Sequence, residues 1–150
     1  MLTVLLTVAL TLVLLRLSWI DLVSFRLPDV WTLPLIAAGL GLAMTGIGTT
    51  VTASAIGGLS GFALFWAIGA AYHRRTGRDG LGLGDAKLFA ASGTWLGYAA
   101  LPYVLLIAAL GALVFATLTQ RMPSRQLAFG PWLALGFWLV WIEFQFVNIL

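Results

Sequence analysis

The sequence predicts an all-α, polytopic transmembrane helical bundle of about six helices, the fourth of them short, in a single domain spanning residues 1–150. Three observations predict it. The first is composition: of 150 residues 61% are hydrophobic and only 9% charged, a balance outside the range of water-soluble domains of this size. The second is that the few charges are spaced widely enough to leave apolar intervals of membrane-crossing length, roughly 20 residues for a helix. The third is that the basic residues fall in alternate loops, and so on one side of the bilayer, once the helices are drawn.

Residues 1–15 carry no charged side chain, and Arg16 is followed by four more uncharged residues before Asp21. This is the first helix. With no basic n-region, too long an apolar run and no small-x-small site after it, it is not read as a secretory signal. No charge occurs between Val30 and Tyr72, which leaves room for a second and third helix around the turn-like stretch from Gly46 to Thr52. The interval from Leu88 to Gln120 is also uncharged, but with a break at Gly97 to Pro102 it is too short for two full spans. The fourth helix is therefore short, about Ala86 to Ala100, and the fifth runs from about Leu101 to Gln120. The sixth starts near Phe129 and is interrupted only by Glu143.

All eight basic residues then lie on one side. Arg16 and Arg26 flank the exit of the first helix. Arg74, Arg75, Arg78 and Lys87 lie between the third and fourth, and Arg121 and Arg125 join the fifth and sixth. Positive-inside bias makes these loops cytoplasmic and places both termini outside. The pI near 10.0 thus reports topology and membrane lipid as a partner, and no nucleic acid is expected. There is no cysteine, which excludes a disulfide framework and thiolate metal sites. Gly57 with Gly61, and Gly93 with Gly97, form small-xxx-small pairs suited to close helix packing.

Four polar constellations are candidates for chemistry. Asp21, in Ile20-Asp21-Leu22-Val23-Ser24-Phe25-Arg26-Leu27-Pro28-Asp29, could mark a helix end at the water boundary or pair with Arg26. Gly80-Leu81-Gly82-Leu83-Gly84-Asp85-Ala86-Lys87 is a glycine-rich approach to a helix, with an aspartate that would serve as an N-cap; it fits neither phosphate-binding glycine signature. Gly58-Leu59-Ser60-Gly61 looks like the G-x-S-G of rhomboid serine peptidases, but the one histidine, His73, lies thirteen residues further along the same helix, about 20 Å away at 1.5 Å per residue. That is beyond the reach of a catalytic base. A single histidine also excludes an H-E-x-x-H metallopeptidase, and His73 is read as a polar residue of the cytoplasmic loop. Phe129-Gly130-Pro131-Trp132 is ordinary helix-start grammar.

Topology changes the weighing. The first helix ends, and the fourth and sixth begin, on one cytoplasmic side, so Asp21 and Asp85 share a face. An acid beside a helix too short to span is costly and is a functional candidate by default.

Read together, these residues resemble the type IV prepilin peptidases, membrane aspartyl peptidases with a G-x-G-D motif. Asp21 six residues ahead of Leu27-Pro28-Asp29 is similar to the family's first motif. Gly82-Leu83-Gly84-Asp85-Ala86-Lys87-Leu88, continuing through Gly93, Trp95 and Gly97, resembles its second. Phe129-Gly130-Pro131 with Leu133, Ala134 and Gly136 resembles its third, where Ala128 stands in place of a frequent proline. The resemblance covers about residues 18–137, in the family's order and spacing. Presenilin-like peptidases share the second motif, but the Leu-Pro-Asp turn and short chain are closer to the prepilin branch.

The resemblance implies a bacterial inner-membrane, multi-pass peptidase whose catalytic pair is Asp21 and Asp85, with Gly82, Gly84, Lys87, Pro28, Asp29, Gly130 and Pro131 supporting it and no metal or other cofactor. The implied substrate is a prepilin or pseudopilin, cut after a glycine that ends a short basic leader, at the cytoplasmic membrane face. Lys87 would either steady the charge on Asp85 or anchor the chain as a positive-inside residue. Family members that also methylate the new N-terminus carry an additional cysteine-bearing portion, so cleavage without methylation is the expectation here. The rival from another class is a small ion- or proton-coupled transporter using the same acids, which would place them near the midplane within inverted repeats; a catalytically idle assembly protein is a third reading.

Overall fold

The computed structural model describes residues 1–77, 82–119 and 128–149. Six α-helices account for most of them: α1 (Leu2–Ser24), α2 (Asp29–Met44), α3 (Val51–Thr76), α4 (Leu83–Leu96), α5 (Leu101–Leu118) and α6 (Gly130–Ile149), with a single 3₁₀ turn at Tyr98–Ala100 between α4 and α5. The described residues contain no strand. The all-α reading and the count of six hold.

Among the described residues, three helices are long and apolar enough to cross a membrane: α1, α3 and the segment Tyr98–Leu118, with α2 a shorter apolar helix. Their outward faces carry large exposed apolar side chains such as Leu5, Leu12, Leu15, Leu59, Trp66, Leu106 and Leu113. In water this would be an aggregating surface. In lipid it is the expected exterior, because backbone polar groups are satisfied inside each helix and apolar side chains face the acyl chains. Composition, helix lengths and exposed faces together describe an integral membrane helical protein. Arg78, Arg121 and Arg125, on which part of the charge argument rests, lie outside the described residues, as does Gln120.

The chain falls into two compact units. The first comprises residues 1–25 and 102–150. Here α1 packs on α6 through Leu10, Leu14 and Leu17 on one side and Leu133, Phe137, Val140 and Trp141 on the other, all buried. Two indoles cross-link the pair: Trp138 Nε1 donates to Thr11 Oγ1 at 2.9 Å and Trp141 Nε1 to Thr7 Oγ1 at 3.1 Å. Both threonine hydroxyls in turn donate to carbonyls one turn back on α1, so every polar atom in the seam is used, as an apolar surrounding demands. The face of α5 carrying Val104 and Ala108 is fully buried and meets α6 at Gly136, where an added Cβ would lie 2.6 Å from the Val104 carbonyl oxygen.

The second unit, residues 26–101, is built around α4. Every residue from Leu88 to Leu96 is buried, with α3 on one side and α2 on another. At 14 residues and 1.5 Å per residue, α4 is about 21 Å long, short of the roughly 30 Å hydrocarbon thickness. The short fourth helix is thus real, and it is the core of its unit. The α3–α4 contact is backbone on backbone: a Cβ added to Gly57 would lie 2.8 Å from the Gly93 carbonyl carbon, and one added to Gly61 would lie 3.1 Å from the Phe89 carbonyl oxygen. Ser54 Oγ donates to the Thr94 carbonyl at 2.6 Å, and Trp95 Nε1 to the Leu35 carbonyl at 2.8 Å, tying α3 and α2 to the same end of α4.

Three boundaries differ from the sequence reading. The fourth helix runs from Leu83 to Leu96, three residues earlier at its start and four at its end than Ala86 to Ala100. Gly97 stops it: at φ 84° and ψ 167° the backbone is in a region that glycine enters freely and other residues rarely do. Gly97 is therefore a terminator as well as a close-packed position, where an added Cβ would lie 2.8 Å from Thr49 Oγ1 and 3.4 Å from Ala53 Cβ. His73, Arg74 and Arg75 belong to the last turn of α3 and not to a loop, since Gly77 at φ 67° closes the helix only after them, where basic side chains complement the helix's negative end.

Candidate active site

The residues singled out from the sequence form two groups, one in each unit. Asp21, Gly130 and Pro131 are the first. Asp21 sits in the last turn of α1 and is 5% exposed. Its carbonyl oxygen accepts the Phe25 N–H at 2.8 Å, where Phe25 closes the helix in the left-handed conformation at φ 53°. Its carboxylate does something else: Oδ2 accepts the backbone N–H of Gly130 at 3.0 Å. Gly130 is the first residue of α6, and a helix's first N–H groups have no intrahelical partner. Pro131 has no N–H, and the N–H groups of Trp132 and Leu133 both donate to the Phe129 carbonyl at 3.1 Å. The start of α6 thus aims the Gly130 N–H at Asp21, at the helix end where negative charge is favoured.

Glycine is required at that position by space. A Cβ on Gly130 would lie 2.6 Å from Asp21 Oδ2 and 2.9 Å from its carboxyl carbon. A groove of about 310 Å³ runs along the same α1–α6 face, lined by Leu14, Ser18, Pro131, Ala134, Leu135 and Trp138.

Pro28, Asp29, Gly82, Gly84, Asp85 and Lys87 are the second group. Gly82 caps α4 with extended backbone (φ −71°, ψ 142°), and its carbonyl accepts the N–H groups of Asp85 at 3.1 Å and Ala86 at 3.3 Å. Asp85 is therefore the third residue of the helix and not its N-cap, which corrects the helix-start role that the sequence allowed it. Its carboxylate folds back over the cap: a Cβ built on Gly82 would stand 3.6 Å from Asp85 Oδ2. In the first turn the charge gains from the helix dipole, while the side chain stays only half-buried. A second groove, about 290 Å³, opens at this end of α4 and is lined by Phe65, Trp66, His73, Arg74, Gly82 and Leu83.

Pro28 is the N-cap of α2 (φ −74°, ψ 139°), and its carbonyl accepts the N–H groups of Trp31 and Thr32 at 3.1 and 3.3 Å. Proline suits this corner because its ring fixes φ near the value found. Gly84 lies against the preceding residue, Leu27: an added Cβ would be 2.7 Å from Leu27 Cβ and 3.1 Å from its nitrogen. The Lys87 ammonium forms an ion pair with Asp29 Oδ1. Neither of the two roles drawn from the sequence for Lys87 included this partner. Leu27 enters the sequence reading only as a letter of the turn motif, and nothing in its spacing signals that its backbone is what Gly84 must clear.

No group of three or more His, Cys, Asp or Glu side chains that would hold a metal ion comes together among the described residues. The two groups each present a carboxylate at the start of a helix, that of Asp21 against Gly130 at the start of α6 and that of Asp85 in the first turn of α4.

A sequence model of the type IV leader peptidase family matches residues 8–117. The chain is 40% identical over 134 residues to the prepilin leader peptidase/N-methyltransferase of Aeromonas salmonicida (strain A449), covering 87% of this chain and 46% of that protein. It is 38% identical over 131 residues to the protein of the same name from Neisseria gonorrhoeae, again 87% and 46% of the two chains. It is 44% identical over 127 residues to that of Burkholderia pseudomallei (strain 1026b), 82% of this chain and 41% of the relative. The chain thus spans less than half the length of these relatives. No solved structure matches it. With the family model matching most of its length, through the segments that carry both aspartates, the chain belongs to the type IV leader peptidase family.

Proposed function

We propose that this protein is a membrane aspartyl endopeptidase that removes the basic leader from prepilin or pseudopilin precursors, cutting after glycine at the cytoplasmic face of the inner membrane, with Asp21 and Asp85 as its catalytic pair. The observation that carries this reading is the buried Asp21 carboxylate held by the first N–H of α6, in a chain of the leader peptidase family. A carboxylate fixed in this way has the preorganisation that catalysis needs, with its oxygen held in place relative to the reacting atoms.

Two carboxylates working on one peptide bond hold a single proton between them, since both cannot ionise easily at close range. The ionised member takes a proton from water as the water oxygen attacks the carbonyl carbon of the scissile glycine. The protonated member donates to the oxygen on which negative charge develops. Collapse of the tetrahedral intermediate breaks the C–N bond, the departing amine takes a proton, and the pair returns to its starting charge. The titration belongs to the pair, so neither residue is assigned acid or base alone. The basic loops read from the sequence support the cytoplasmic face.

The test is direct. Purified full-length protein in lipid vesicles is incubated with a prepilin precursor, and the product's N-terminus is sequenced. A single new N-terminus following the leader's glycine is expected. A precursor left intact by well-folded protein would refute the reading.

A further inference from the structure

We propose that Asp29 and Lys87 are positioning residues: their ion pair clamps the Leu27–Asp29 turn to the first turn of α4 and so sets where the Asp85 carboxyl stands. This rests on the peptidase reading for its functional consequence, and on geometry alone for the clamp.

Two attachments join the turn to α4. One is the close approach of Gly84 to Leu27, tight enough that a side chain at 84 would strike the Leu27 Cβ and backbone nitrogen. The other is the Lys87–Asp29 pair, formed by residues 58 apart in sequence. Residues 84 and 87 are three apart and so share one face of the helix. Asp85 lies between them in the chain. On the other side, Leu27 and Asp29 flank Pro28, whose ring stiffens the corner, so the two attachment points cannot move independently. A carboxyl on the turn of α4 bracketed by both contacts is held in place by them.

The pair is poorly suited to a purely stabilising role. The Lys87 side chain is 22% exposed and that of Asp29 56%, and ion pairs this open to solvent contribute little to global stability. Gly84 against Leu27 provides the packing. The ion pair adds direction, because it fixes the rotation of α4's first turn about the single contact at Gly84.

The test combines turnover with an activity-independent probe. Lys87→Met and Asp29→Asn, made singly and together in the full chain, are assayed for prepilin cleavage per folded molecule. In parallel each is combined with Leu27→Cys, the only thiol in the protein, and its labelling by a water-soluble maleimide is timed. Leu27 is 7% exposed, so labelling is slow while the turn is clamped. Each single substitution should lower kcat by about 10- to 100-fold, as small misplacements of a catalytic group do, with KM unchanged. The double variant should be no worse than either single one, and labelling should accelerate in all three. Lys87→Arg should restore both kcat and slow labelling. Losses that multiply in the double variant, or a pH profile shifted by Lys87→Met but not by Asp29→Asn, would mean that Lys87 acts on the acids directly and would overturn the proposal. So would unchanged kcat or unchanged labelling. If the wild-type chain leaves prepilin intact, the peptidase reading fails by itself; the clamp then stands if labelling accelerates in the variants and falls if it does not.

Discussion

The carboxylate of Asp21 accepts the backbone N–H of Gly130 at 3.0 Å, joining residues 109 apart in sequence. One hydrogen bond to Oδ2 thereby couples the last turn of α1 to the first of α6. Because the donor is main chain and not a side chain, it cannot swing away, and it costs no side-chain entropy to hold in place.

Substituting Gly130 is the first way to probe this coupling. Gly130→Ala puts a methyl 2.6 Å from Oδ2, inside van der Waals contact, so the Asp21 carboxyl must move. Prepilin cleavage should fall by about 10- to 100-fold, the usual consequence of displacing a catalytic group by about an ångström. The protein should still accumulate in the membrane, because only one side chain, at the ends of α1 and α6, is disturbed. Processing measured in membranes matched for protein level checks this, and unimpaired cleavage would remove Asp21 from the active site.

Much of this architecture is legible in the sequence, for a physical reason. In lipid the hydrophobic pattern is carried by whole 20-residue intervals, so charges such as Asp21, Asp29 and Arg74 mark helix ends, although Arg16, read from the sequence as flanking the exit of the first helix, lies inside α1, which continues to Ser24. What the pattern cannot carry is tertiary. Gly93 and Gly97 are four apart and look like one packing stripe, yet Gly93 meets the Gly57 backbone while Gly97, set against Thr49 and Ala53, also takes φ 84° and ends the helix. Only the chain's path distinguishes them. The start of α4 is hidden likewise: glycines at 82 and 84 weaken any helix signal, and position 84 takes glycine because Leu27 occupies the space where a side chain would be. Lys87 has two acids near it in sequence, Asp85 and Asp79, and its ion-pair partner is Asp29.

The packing of α3 on α4 makes a separate prediction about stability. Gly57→Val forces a side chain against the Gly93 carbonyl, backbone that cannot turn aside, and should cost about 1–3 kcal/mol or more. Gly41→Ala in α2 meets nothing within 4 Å and should be neutral or slightly stabilising, since alanine loses less backbone entropy than glycine on ordering. Thermal unfolding in detergent separates the two. Equal melting temperatures would show that α3 and α4 do not touch backbone to backbone.

Topology is open to a clean labelling experiment because the chain has no cysteine. Thr76→Cys, at the end of α3, should react with a membrane-impermeant maleimide only from the cytoplasmic side. Thr45→Cys, in the turn between α2 and α3, should react only from outside. The 26 residues of α3 separate these positions by about 39 Å, enough to cross the bilayer. The reverse pattern would move the basic turns, and the proposed site with them, to the opposite face.

The two acids themselves give the most demanding prediction. Asparagine is nearly isosteric with aspartate but can neither take a proton from water nor share one with a partner carboxyl. At position 21 it would keep an oxygen to accept the Gly130 N–H, so the α1–α6 coupling survives and only the charge is lost. At position 85 it would keep the side chain over Gly82 and forgo a modest dipole benefit in the first turn, typically about 0.3–1 kcal/mol. Asp21→Asn and Asp85→Asn should therefore both fold and insert normally. Each should nonetheless abolish detectable cleavage, because acid–base help and charge stabilisation each contribute on the order of 10² to 10⁴ in rate. The contrast between intact fold and lost activity is what a structural role for either acid cannot produce: a structural aspartate replaced by its isostere either changes stability or changes nothing. Quantifying prepilin processing beside the melting temperature of each variant provides both readouts. Near wild-type processing by either variant at normal protein levels would sink the two-aspartate mechanism.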